Sequence, residues 1–123
     1  MGSAILFWTY LAVMFAAAAC FLQAYRVRKD TPRHKRFGIT GVALALSGIV
    51  VVLALTYGLG WHVDKRSPEI VLWHRRVAYV STALLVLTGL SGMLRWKVHP
   101  LVARVSVAVY FVALALACLG YRP

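Results

Sequence analysis

Long uncharged, largely apolar stretches alternate along this chain with short polar segments. No charge occurs between Met1 and Tyr25, and further apolar runs cover Phe37–Trp61, Val77–Leu94 and Val105–Tyr121. About 20 helical residues cross the ~30 Å hydrocarbon core of a bilayer. The first two runs are long enough as they stand. The last two reach that length once Ile70–Arg76 and His99–Arg104 extend them as helix into the headgroup layer. The pattern predicts four membrane helices, at about 3–25, 37–61, 70–95 and 99–121. No A-x-A cleavage pattern follows the first run, and it is too long for a signal-peptide core, so it is expected to remain as a membrane helix. Short connections make sequential helices antiparallel neighbours. The expected fold class is therefore all-α: a single-domain integral membrane four-helix bundle, up-down-up-down.

Composition sharpens this picture. Of the 123 residues 62% are hydrophobic and 14% charged, against roughly 45–50% and about 25% in soluble domains. So short a chain cannot enclose that much apolar surface, which excludes a soluble enzyme. Fourteen Lys and Arg against three acids give a net charge of +11. Arg26, Arg28, Lys29, Arg33, Lys35, Arg36, Arg95, Lys97 and Arg104 fall on one side of the expected topology. Lys65, Arg66, Arg75, Arg76 and Arg122 fall on the other. Because basic loops stay in the cytoplasm, both termini are expected on the outer side of a bacterial inner membrane. The split of basic residues between two faces also argues against nucleic acid as a partner. Trp8, Trp61, Trp73 and Trp96 lie near span ends, as interfacial anchors do. Cys20 and Cys118 lie within apolar runs and read as buried or lipid-facing thiols rather than a disulfide.

No Asp or Glu lies inside a span, and neither a nucleophile triad nor a phosphate loop is present, so histidine remains as the candidate chemistry. All four histidines fall at or near span ends. His34 and His99 belong to one membrane face by the expected topology, His62 and His74 to the other. Two imidazoles from different helices at one depth are the arrangement that ligates a haem iron from both sides. Steps of four and three from His34 pass through Gly38, Gly41, Ala45 and Gly48 and end on His62. From His74 they pass through Ala78, Ser81, Leu85, Thr88 and Gly92, and from His99 through Ala103, Ser106, Tyr110, Ala113, Ala117 and Gly120. Such small-residue stripes face other helices or a flat cofactor. His34 and His62, 28 residues apart on one stripe, stand about 42 Å apart along a helix and cannot share a site.

Arg75 and Arg76 beside His74, and Arg33, Lys35 and Arg36 around His34, place cations at expected helix starts, where the macrodipole disfavours them. An anion is expected there, and haem propionates would serve, with Arg104 acting similarly near His99. Lipid phosphate is the plainer partner for the same groups. Copper is the weaker metal, since Met14, Met93, Cys20 and Cys118 form no thioether or thiolate cluster. The residues thus suggest haem b, one or two per chain.

The final segment HPLVARVSVAVYFVALALACLGY resembles the last helix of a family of small four-helix bacterial membrane proteins found in the context of haem-copper cytochrome oxidase assembly. PRHKRFG, TYGLGWH and WHRRVAYVSTALL are similar to its pattern of one histidine at a helix end, and the likeness covers about residues 24–121. The chain departs from that family in carrying SVAVY and a compact outer loop. Its HRR and TGLSG elements also resemble helices of two-haem cytochrome b proteins and quinone-reactive membrane anchors. Both resemblances imply membrane redox work, with subunits of a respiratory complex as partners and quinone as a further one. The expected function is a b-type cytochrome-like electron relay. The alternatives are an assembly factor for a haem-copper terminal oxidase and a cofactor-free structural subunit. No catalytic constellation of its own is expected.

Overall fold

The computed structural model describes residues 2–122. Most of them lie in four helices, α1 (Gly2–Arg26), α2 (Thr31–Leu53), α3 (Pro68–Met93) and α4 (His99–Gly120). All four are long and apolar enough to cross a membrane, α2 together with the π-helical turn Ala54–Gly58 that extends it. The chain is thus all-α in its main elements and built as a multi-pass membrane protein. It divides into two compact units, one running to Val63 and the other Asp64–Arg122. Each unit is a helical hairpin.

In the first hairpin α1 buries Phe7, Leu11, Met14, Ala18 and Phe21, a stripe of four-three steps, and α2 answers with Gly41, Ala45 and Gly48. A Cβ added at Gly41 would stand 2.7 Å from Phe21 Cε1, and one at Gly48 would stand 2.6 Å from Met14 Cε. The two backbones approach as closely as they do because these positions are glycine. The pairs Ala24–His34, Phe21–Gly41 and Met14–Gly48 run in opposite senses along the two helices, which makes α1 and α2 antiparallel. Asp30 caps α2, its Oδ1 accepting from the Arg33 amide at 3.3 Å, and Pro32 occupies the first turn, where its missing N–H costs nothing.

Those caps start α2 six residues before the expected Phe37. Arg33, Lys35 and Arg36 depress hydropathy without opposing helix, so an apolar scan begins late. The expected end at Trp61 also fails. The α-helix gives way at Leu53 to the π-turn, after which the Leu59 and Trp61 amides both donate to the Leu55 carbonyl, at 3.2 and 2.9 Å. Gly60 at φ +66° then turns the chain away.

The second hairpin starts where Ser67 Oγ accepts from the Ile70 amide at 3.4 Å and Pro68 opens α3. At the other end Arg95, in the left-handed region at φ 55°, closes α3 with Trp96 N–H to Ser91 carbonyl (2.9 Å) and Arg95 N–H to Gly92 carbonyl (3.3 Å). This is a Schellman closure with arginine where glycine is usual. α3 buries Val71, Ser81, Leu85 and Ser91, and α4 buries Ser106, Tyr110, Ala113, Ala117 and Gly120. Contacts of Val71 with Gly120, His74 with Ala113 and Ser91 with His99 make these helices antiparallel as well.

A feature absent from the sequence reading closes the open end of this hairpin. β1 (Asp64–Lys65) pairs antiparallel with β2 (Tyr121–Arg122), while the Gly120 carbonyl accepts from the Arg66 and Ser67 amides at 2.8 and 3.2 Å. The end of α4 is thereby tied to the segment that begins α3. The two hairpins also share a pattern. Counting 7, 11 and 14 residues on from the histidine that opens each second helix gives buried Gly41, Ala45 and Gly48 after His34, and buried Ser106, Tyr110 and Ala113 after His99.

Candidate functional site

Three of the four histidines turn their rings onto the other helix of their own hairpin. His34, in the first turn of α2, places Nδ1 2.8 Å from the carbonyl oxygen of Ala24 on α1. His74, two turns into α3, places Nδ1 2.8 Å from the carbonyl oxygen of Ala113 on α4 and meets the Tyr121 ring edge-on at 5.8 Å. His99, opening α4, places Nδ1 2.9 Å from Ser91 Oγ, and the Ser91 hydroxyl is itself donated to the Thr88 carbonyl at 3.1 Å. Gly92 makes room for that ring, since a Cβ there would stand 3.0 Å from His99 Cε1.

The carbonyl partners decide the tautomer of two rings. A carbonyl has no proton to give, so Nδ1 is the donor in His34 and His74, and each neutral ring carries its lone pair on Nε2, whereas the Ser91 hydroxyl can accept from His99 Nδ1 or donate to it. Anchoring one imidazole nitrogen to an oxygen is what orients a metal-ligating histidine and raises the basicity of the other nitrogen. The anchoring groups, two backbone carbonyls and a buried serine, escape sequence reasoning because a carbonyl leaves no residue signature. Only Ser91–Gly92, eight residues before His99, offers a legible hint.

His62 differs from the other three. It lies beyond the π-turn, outside any helix and exposed, and among the described residues its ring makes no hydrogen bond. The expectation that it closes the second span on the stripe from His34 is corrected. The stripe is buried at Gly41, Ala45 and Gly48, and helical phase is lost where the α-helix ends at Leu53. The stripes themselves are taken up by helix-to-helix contact within each hairpin, on the Gly41–Phe21 and Gly120–Val71 pattern.

Within one hairpin no two histidines meet. His74 lies beside Ala113 and His99 beside Ser91, and the 17 residues from His74 to Ser91 span about 25 Å of α3. His34 and His62 lie at the two ends of the first hairpin's second helix and its extension. Among the described residues no group of three or more His, Cys, Asp or Glu gathers as a metal cluster would require. Cys20 and Cys118 are free and half-buried, as expected of apolar-run thiols.

The arginines stand on the exposed faces. Arg76 stacks on Trp73, with its guanidinium 5.2 Å from the ring centre, and Arg75 and Arg104 are exposed. Since α3 begins at Pro68, Arg75 and Arg76 lie two turns inside the helix. The macrodipole acts within the first turn, so its argument for an anion lapses at these two positions and stands for Arg33 on α2. Among the described residues none of the Lys or Arg side chains forms an ion pair with a carboxylate, and Asp30 serves as a cap instead. At the far end of the first hairpin, Trp61 Nε1 is buried without a hydrogen-bond partner.

Compared with protein-family models, curated proteins and solved structures, the chain matches none.

Proposed function

We propose that this chain is a membrane b-type cytochrome-like protein that binds haem through histidine pairs and passes electrons as a subunit or partner of a membrane redox complex. The observation that supports the reading is that His34, His74 and His99 each hold Nδ1 against an oxygen on the other helix of their hairpin, which in His34 and His74 leaves the lone pair on Nε2. Three imidazoles held through Nδ1 against a neighbouring helix suit axial ligation better than incidental interfacial residues, whose ring nitrogens would face water or headgroups. The reading takes the up-down-up-down topology as its premise and assigns His34 and His99 to an inner pair and His74 and His62 to an outer one. Bound haem would supply one-electron chemistry, its iron alternating between ferric and ferrous. The chain supplies ligands, their orientation and a low-dielectric surround, and Arg33, Arg75, Arg76 and Arg104 offer cations to propionates or lipid phosphates. A bacterial inner membrane with both termini outward, a respiratory complex as host and quinone as electron partner complete the reading.

The exposed, unanchored His62 favours a second reading for the outer end. A ligand that nothing orients suits transient handling of haem or, less well, copper, as in an assembly factor for a terminal oxidase. His34→Ala and His99→Ala separate these readings when haem is measured per chain in purified protein. The relay predicts that either substitution removes the same haem in full, while His62→Ala leaves that haem in place. Unchanged haem content in both His34→Ala and His99→Ala would sink the inner pair.

A further inference from the structure

The centre of the second hairpin holds two hydroxyls that the protein leaves without partners. Ser81 and Ser106 are 2% and 0% exposed, and neither Oγ has a hydrogen-bond partner in the chain. Ser81 is at the middle of α3, and Ser106 is on the buried stripe of α4. The antiparallel contacts His74–Ala113 and Ser91–His99 bracket both residues and bring their levels together across the seam. Their behaviour contrasts with that of other helix hydroxyls of the chain. Thr40, Thr82 and Thr88 each return their proton to the carbonyl four residues back, at 2.8 Å, the usual way for a helix to satisfy such a group. The two serines do not, and a fully buried hydroxyl that neither returns to its own helix nor reaches the surface faces the seam.

A buried hydroxyl without a partner costs about 1–3 kcal/mol, and at the depth of a bilayer centre no solvent is at hand to relieve it. We infer that Ser81 and Ser106 form a binding site for one small hydrogen-bonding molecule, an ordered water, held between α3 and α4. Two hydroxyls offer two donors and four lone pairs, and buried waters take about three hydrogen bonds from polar groups otherwise unsatisfied. The site is independent of haem and stands or falls without it.

The test is water-to-protein cross-relaxation in the detergent-solubilised full chain, read at the Ser81 and Ser106 amides, for the native protein, Ser81→Ala, Ser106→Ala and the double variant. Water itself is the probe. The site predicts cross-peaks at both serines in the native protein and their loss in the double variant. It also predicts a thermal-stability loss in the double variant smaller than the sum of the two single losses, since each single variant strands the remaining partner. Alanine suits both helices, so all four proteins should fold. Absence of water cross-peaks in the native protein, or fully additive losses, would overturn the site and return each hydroxyl to its own helix carbonyl.

Discussion

Single positions carry much of what this chain does. Arg95 holds a left-handed backbone at φ 55°, where a β-carbon costs roughly 1 kcal/mol and glycine is at ease. Arg95→Gly should therefore stabilise the second hairpin by up to about 1 kcal/mol in denaturant or thermal unfolding, because it keeps the Schellman closure and removes the strain. Ser91 is a different case, since its hydroxyl anchors His99 Nδ1 while donating to Thr88. Ser91→Ala leaves the imidazole in place and takes away what orients it. On the haem reading the affinity of the His34–His99 site should fall by about 10–100-fold, the usual cost of losing an outer-shell partner, with helix content unchanged by circular dichroism. Equal haem affinity in native protein and Ser91→Ala would show that the anchor does not serve ligation.

At the scale of elements, helix packing follows from where glycine permits approach. Gly41 faces the ring of buried Phe21, whereas Gly48 faces the terminal methyl of Met14. A ring cannot fold out of the way and a thioether end can. Gly41→Ala should cost about 1–3 kcal/mol through forced displacement, and Gly48→Ala distinctly less, as measured by unfolding of the two variants in the same detergent. A reversed order would mean that the α1–α2 seam lies elsewhere. The existence of the helices was legible from apolar run length, and the small-residue stripes correctly marked the faces that meet. The ends of α1, α3 and α4 fall within two residues of those expected, whereas those of α2 were not legible by the same signal, because hydropathy responds to side-chain polarity and caps respond to backbone needs. Asp30, Pro32, Ser67 and Pro68 govern where α2 and α3 begin, and Arg33, Lys35 and Arg36 hide the start of α2 from an apolar scan. The π-turn, the two-residue ladder and the carbonyl anchors of His34 and His74 had no signature to read, as each depends on backbone groups that every residue possesses. His62 was misjudged for the same reason, its helical phase being lost to a backbone event at Ala54–Gly58.

At the scale of the whole molecule, two helical hairpins carry one histidine each at the opening of their second helix, anchored to the end of the first. The expected up-down-up-down topology assigns both hairpin turns to one side and the Trp61–Trp73 connection with the termini to the other. Single cysteines at Val63 and Lys97, in a background of Cys20→Ser and Cys118→Ser, test this with an impermeant thiol reagent on intact cells. Labelling of position 63 and protection of position 97 is the expected outcome, and the reverse would invert the orientation and exchange the inner and outer pairs. The central claim, that these histidines hold haem, is tested most directly by a dithionite-reduced minus oxidised visible spectrum of protein purified from haem-sufficient cells, with haem quantified per chain. A sharp b-type α-band with one or two haems per chain is the predicted result. A flat difference spectrum from folded, haem-sufficient protein would contradict it, leaving the anchored imidazoles as interhelical hydrogen bonds of a structural or assembly protein.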